Sequence, residues 1–413
     1  MRKSFLSALC FSLWLISMVA TAQNYTVLVS LDGCRWDYPQ MYNATYLNQL
    51  AEKGVLAMMQ PSFPSKTFPN HYTLATGLYP DHHGIISNSF VDKETGLYFS
   101  LGNKSTKKDP RFWKGEPIWQ TAARQGVRMG CVYWPGSDVP INLGQTPRPY
   151  PTYYRDYDQP PLLEFGERVA EVKRLLSLPY DERPRLVFAY FEEPDHMGHS
   201  YGPASAEARS AFEAMDSIVA ALYIQLMCLP IRDSINFIVT SDHGMTTLSA
   251  DRIIELDKYL PKRMYERIWY DIPTQVFVKK GGEQKVIDAL KDVPHLRVWR
   301  KSDVPEYLHY GTNTNIGEVV VLPDLGWSIL RPNRDGSPGK LKLVGTHGYD
   351  PAYSDMLVPF VAIGPDFRKG YRRSSAFANV GVYGLLCQLL GIEPAPNDGG
   401  ADIPLDLLRD TPQ

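Results

Sequence analysis

Five stretches of the chain carry residue types that can do metal-assisted hydrolysis. Thr67 lies in Pro64-Ser65-Lys66-Thr67-Phe68-Pro69-Asn70-His71-Tyr72. Alone, a hydroxyl between two prolines reads as a loop residue. Three later clusters change that reading: Glu192-Glu193-Pro194-Asp195-His196-Met197-Gly198-His199, Ser241-Asp242-His243-Gly244 and Gly345-Thr346-His347-Gly348. Asp32, before Gly33, adds a further carboxylate. Asp195 and His199 are four apart, so one helical turn or tight loop points both at one ion. Carboxylates and imidazoles without thiolates suit Zn²⁺ in an open catalytic site, whereas Mg²⁺ would draw more carboxylates and water. Threonine is a weak nucleophile at its free pKa, and a metal ion beside it is what makes it reactive.

The elements that must position these groups follow from the apolar pattern. Residues 25–31, 127–133, 186–191, 235–240 and 360–363 are β-branched or apolar runs, as expected of strands buried on both faces. Asp32, the 192–199 cluster and the 241–244 cluster each follow such a run directly, where open α/β sheets place their sites. Helices are expected over 45–54, 70–76, 162–178, 203–229 and 380–390. Strands alternating with helices predict an α/β fold, a mostly parallel sheet sandwiched by helices. Residues 140–161, rich in proline and tyrosine, read as a surface loop. From about 250 to 343 the rhythm shortens to pieces such as 274–278, 296–299 and 318–322, which predicts a smaller β-rich insert.

Of the 413 residues 44% are hydrophobic and 21% charged, an ordinary globular balance. Arg2 and Lys3, an apolar stretch over 5–16 and Ala20-Thr21-Ala22 read as an export signal removed after residue 22. Residues 23–413 are expected to form a single catalytic domain, periplasmic or secreted. They carry 41 Lys+Arg against 45 Asp+Glu, a net charge of −4 without a basic block, so no dedicated nucleic-acid groove is expected. No second long apolar run follows, so no transmembrane segment is expected in the mature chain. Export would allow Cys34, Cys131, Cys228 and Cys387 to pair. Cys34 and Cys131, both near strand ends, are one candidate pair; four buried free thiols are the other reading.

The motifs resemble one family. Leu31-Asp32-Gly33, Lys66-Thr67-Phe68-Pro69-Asn70-His71, Gly84-Ile85-Ile86-Ser87-Asn88, the run from Glu192 through Pro203, Ser241-Asp242-His243-Gly244-Met245 and Gly345-Thr346-His347-Gly348-Tyr349 look like the nucleotide pyrophosphatase/phosphodiesterases, within the alkaline phosphatase superfamily. The resemblance runs from about residue 25 to 400. It implies an alkaline phosphatase-like fold and two Zn²⁺ ions, one held by Asp195, His199 and His347, the other by Asp32, Asp242, His243 and the Thr67 oxygen. It also implies a covalent phosphothreonine at Thr67, with Asn88 and the backbone N–H of Phe68 on a non-bridging oxygen.

The metal site does not choose the substrate. Thr67 cannot supply the aldehyde hydrate of a sulfatase. Lys66 is the one candidate near the nucleophile to neutralise the extra charge of a monoester. For a nucleotide, Phe68 and Tyr157 are the expected stacking faces, with Tyr153 or Tyr154 as alternatives to Tyr157, and Leu101 lining the same slot. The same tyrosines with Asp156 or Asp158 would instead suit a choline headgroup. The leading reading is release of nucleoside 5′-monophosphates from nucleotide diesters and anhydrides, including dinucleotides and nucleotide sugars. The alternatives are a choline-lipid phosphodiesterase, a phosphomonoesterase and a non-catalytic extracellular binding protein. His71, His82, His83 and His196 read as structural neighbours of the site.

Overall fold

Tyr25–Leu31 is apolar on both faces, and it occupies the middle of a nine-stranded sheet. The computed structural model describes residues 24–333 and 339–409. The export signal expected over residues 1–22 lies outside them. On one side of Tyr25–Leu31 stand Leu186–Phe191, Met129–Val132 and Tyr153–Arg155 in order. On the other stand Ile235–Thr240, Val358–Ile363, Val55–Gln60 and Tyr371–Arg372, with Phe377–Ala378 also pairing to Val55–Gln60. Val358–Ile363 alone runs against the other eight. Residues 140–161 are not all loop: Tyr153–Arg155 is an edge strand parallel to Met129–Val132. Three residues are too few for an alternation to show in sequence.

Helices cover the sheet in two groups. Thr45–Lys53, Phe165–Leu176 and Ala206–Met227 pack together, and Thr67–Thr76, Ile118–Arg124 and Gly381–Leu390 form a second set. Ala206–Met227 starts where Ser205 Oγ accepts the Ala208 N–H at 3.0 Å. It buries Phe212, Met215, Val219, Leu222 and Leu226, each stabilising by about 1.5–3 kcal/mol relative to exposure. Phe165–Leu176 starts with a capping box between Glu164 and Glu167.

A separate antiparallel sheet orders Arg267–Trp269, Thr274–Phe277, Val319–Pro323 and Leu296–Arg300. With the helix Glu283–Leu290 it has its own core, including Leu256, Val276, Val286 and Val321. Among the described residues no helix is long and apolar enough to cross a membrane.

The cysteines correct one expectation. All four are free; Cys34, Cys131 and Cys387 are buried, and Cys228 is exposed. The strands leading to Cys34 and holding Cys131 are separated by Leu186–Phe191. One intervening strand sets their backbones roughly 9–10 Å apart, beyond disulfide reach.

Candidate active site

Strand register puts the site at one end of the sheet. Leu31 pairs with Phe191 and Ser30 with Thr240, so Asp32, the 192–199 segment and the 241–243 segment leave adjacent strands at one level. Gly33, at φ +67°, makes the next approach possible, because a Cβ there would lie 2.8 Å from the Asp195 backbone. Asp195 and His199 share one short helix, Asp195–Tyr201. Thr67 is itself the first residue of the helix Thr67–Thr76, which starts three residues earlier than the sequence pattern suggested.

Two groups gather there: Asp195, His199 and His347, and Asp32, Asp242 and His243, each with one ligand atom per residue within 4.8 Å of the others. In every histidine Nδ1–H donates to a backbone carbonyl at 2.8 Å: His199 to Gly345, His243 to Gly244 and His347 to Ser65. That locks the tautomer and leaves each Nε2 lone pair facing the site. Thr67 O–H therefore donates to His243 Nε2, 3.1 Å away.

The same Nε2 atoms face carboxylate oxygens. His243 Nε2 is 3.3 Å from Asp32 Oδ1 and 3.1 Å from Asp242 Oδ2, and His347 Nε2 is 3.8 Å from Asp195 Oδ1. Asp32 Oδ1, Asp195 Oδ1 and Asp242 Oδ2 are buried without a hydrogen-bond partner. Burial pushes all three carboxyls well above the usual carboxylate range; among charged neighbours Asp195 adds most for Asp32, Asp242 for Asp195 and Asp32 for Asp242. Burial likewise holds His199, His243 and His347 below the usual imidazole value. Lone pairs opposed to lone pairs in a buried cluster of acids fit bound divalent cations, which would satisfy both sets at once.

The surrounding cavity, about 340 Å³, is lined by Thr67, Phe68, Asn88, Leu101, Tyr157 and Tyr190 beside the metal-type groups. Asn88 Oδ1 accepts the Phe68 N–H at 3.0 Å, which fixes the side-chain amide beside Thr67. Of the three tyrosines considered for stacking, only Tyr157 lines this cavity. Tyr153 donates its hydroxyl to the Glu182 carbonyl, and Tyr154 stacks on Tyr150 with ring centroids 5.1 Å apart. Lys107, Asp138 and Arg155 also line the cavity. Asp156 and Asp158, considered for a choline group, are already paired with Lys108 at 2.5 Å and Lys107 at 2.8 Å. Asp138, Asp156 and Asp158 also converge, but the Lys108 ammonium fills that cluster. Lys66 is buried and paired with Asp271 at 2.7 Å, so its charge is already engaged.

One supporting residue, Tyr190, was not singled out from sequence, and a second, His71, takes the place of a structural neighbour expected for it. Tyr190 O–H donates to Asp32 Oδ2 at 2.5 Å, leaving Oδ1 as the free oxygen. His71 Nδ1–H donates to the Thr67 carbonyl at 2.8 Å and its Nε2 accepts from Ser30 Oγ at 2.9 Å, tying the helix Thr67–Thr76 to the central strand. Tyr190 stands one residue before the end of an apolar strand, the only sequence signal it carries.

Comparison with known proteins places the chain among relatives. The family profile described as type I phosphodiesterase / nucleotide pyrophosphatase matches residues 26–350. A bovine (Bos taurus) bis(5′-adenosyl)-triphosphatase is 39% identical over 381 residues, 90% of this chain and 79% of that protein. Human (Homo sapiens) ectonucleotide pyrophosphatase/phosphodiesterase family member 5 is 37% identical, covering 94% of this chain and 78% of its own. A rattlesnake (Crotalus durissus collilineatus) venom phosphodiesterase is 37% identical over 91% of this chain, which spans only 45% of the venom protein. The structure of murine ectonucleotide pyrophosphatase/phosphodiesterase 5 superposes with a TM-score of 0.84 at 36% identity, covering 94% of this chain and 100% of that one; an inactive form of it, in complex with AMP, superposes equally well.

Proposed function

Because the chain belongs to the type I phosphodiesterase / nucleotide pyrophosphatase family, we propose that it is an exported two-zinc phosphodiesterase/pyrophosphatase releasing nucleoside 5′-monophosphates from nucleotide diesters and anhydrides. The observation that carries the reading is the convergence of three orphaned, buried carboxylate oxygens and three Nε2 atoms locked as acceptors in two groups, one of them against the Thr67 hydroxyl. Asp195, His199 and His347 would hold one Zn²⁺, and Asp32, Asp242 and His243 with Thr67 Oγ1 the other. Bound there, the two ions would supply the positive charge that favours the Thr67 alkoxide and the departing oxygen.

The residues of the chain account for the remaining steps. Thr67 gives up its proton to solvent and Oγ1 attacks phosphorus in line; its bond to phosphorus forms as the bond to the leaving oxygen breaks, and that oxygen departs with the electron pair, as an alcohol or phosphate product, leaving a phosphothreonine ester. Water then cleaves that ester, releasing the 5′-monophosphate and restoring the hydroxyl. Asn88 donates its NH₂ to a non-bridging oxygen, a contact worth about 2.7–4 kcal/mol in comparable sites. The Phe68 N–H reaches the same oxygen once it releases Asn88 Oδ1. Phe68 and Tyr157 flank the base and Leu101 closes the slot. The prior engagement of Lys66, Asp156 and Asp158 argues for nucleotide diesters over monoesters and choline lipids.

A panel of nitrophenyl nucleotide diester, ATP, nitrophenyl monoester and a choline lysophospholipid tests the proposal. Preferred turnover of the nucleotide diester and ATP is expected. Preference for the monoester or the choline lipid would overturn the substrate assignment.

A further inference from the structure

We infer that Asp271, at a corner of the small antiparallel sheet, is a positioning residue that holds the nucleophile and the substrate-binding amide in register. The inference rests on the phosphodiesterase reading above. Asp271 Oδ1 meets Lys66 Nζ at 2.7 Å, and its Oδ2 accepts the Ser87 hydroxyl at 2.6 Å. Lys66 directly precedes Thr67, and Ser87 directly precedes Asn88. One carboxylate thus clamps the two segments that carry the reacting oxygen and the amide donor. Before substrate binds, the direct Phe68–Asn88 hydrogen bond joins the same two segments a second time; once it is released, the Asp271 clamp still holds them.

The clamp is itself anchored. The Asp271 carbonyl accepts the hydroxyl of Thr274, the first residue of Thr274–Phe277, and Oδ1 also accepts the Ile272 N–H at 2.8 Å. Ile272 extends the contact to a third segment. A Cβ on Gly348, the residue after His347, would lie 2.8 Å from the Ile272 carbonyl oxygen and 3.0 Å from Lys66 Cε. Gly348 sits at φ +105°, so the chain beside His347 can pass this corner only without a side chain. The Asp271-Ile272 corner therefore touches the neighbours of Thr67, Asn88 and His347 together. Its charge also pairs the Lys66 ammonium, whose side chain is only 9% exposed and would be buried and unpaired without it, so the contact to the Thr67 segment is held by charge as well as by shape. Reacting groups tolerate displacements of only about 0.5 Å, and about 1 Å can cost roughly 100-fold in rate.

The test uses Asp271→Asn, which keeps the shape and removes the charge, and Asp271→Ala, in the full zinc-loaded protein. Both are expected to lower kcat on the nitrophenyl nucleotide diester about tenfold or more, with KM within about twofold and zinc content unchanged. Backbone amides of residues 64–72 and 84–89 should exchange faster with solvent, while the central strands keep their protection. Ser87→Ala combined with Asp271→Ala should cost less than the product of the two single effects. Unchanged exchange in both segments, or a kcat loss matched by zinc loss, overturns the inference. An unaltered protein that turns over no diester refutes the functional reading instead, and amide exchange still decides the role of Asp271. If Asp271→Ala fails to fold, Asp271→Asn carries the test.

Discussion

Thr67 Oγ1 and His243 Nε2 stand 3.1 Å apart although 176 residues separate them in the chain. His243 spends its other ring nitrogen on the Gly244 carbonyl, so the contact presents an acceptor to the hydroxyl proton. In the proposed mechanism Thr67→Ala removes the nucleophile and leaves three candidate ligands in each metal-type group. Turnover should fall about 10³-fold or more, with metal content measured by atomic emission nearly unchanged. Retained turnover in that variant would refute the covalent step.

Metal retention should survive mild acid. Only a neutral imidazole binds metal, and burial holds His243 and His347 well below the ordinary value near 6.5. A lowered value moves proton competition to lower pH. Metal content after dialysis should therefore stay flat from about pH 8 through 6.5 and fall only in stronger acid. Half-loss near pH 6.5 would place the proton competition at the carboxyls of Asp32, Asp195 and Asp242, which burial pushes up, or at rings that titrate as exposed imidazoles do.

The tyrosines separate by where their rings point. Tyr157 lines the cavity, whereas Tyr154 stacks on Tyr150. Loss of base stacking costs about 1–3 kcal/mol, so Tyr157→Ala should reduce kcat/KM for nucleotide diesters roughly 5- to 150-fold. Tyr154→Ala should change it less than about twofold. Equal losses in steady-state assays would place the base elsewhere.

Gly33→Ala should damage the site through the backbone. The added methyl meets Asp195 at 2.8 Å, and the residue must hold φ at +67°. A stability loss of about 1–3 kcal/mol is expected, with weakened metal binding because Asp195 must move. Denaturant unfolding and metal titration read the two effects, and wild-type values for both would show that the strand ends have room to spare.

Much of the site was legible because its determinants are local. Asp32, Asp242 and His243 follow apolar runs whose length marks them as buried strands, and the four-residue spacing of Asp195 and His199 already implies one turn of helix. The edge strand Tyr153–Arg155 was not legible, since three residues carry no period. Nor was the absence of a Cys34–Cys131 bridge, which depends on which strand lies between them.

By itself, then, the sequence determined the residue types of the candidate metal groups, their placement at strand ends or tight turns and the hydroxyl beside them, because apolar runs and glycine-flanked turns act over a few residues. Tertiary structure alone decided that Tyr157 rather than Tyr153 or Tyr154 faces the cavity, that Tyr190 claims one oxygen of Asp32, and that Val358–Ile363 runs backwards. It also decided that Asp271 reaches back to both Lys66 and Ser87. Each of these depends on side chains that meet only after the sheet has assembled, and no local pattern records which distant partner a side chain will find.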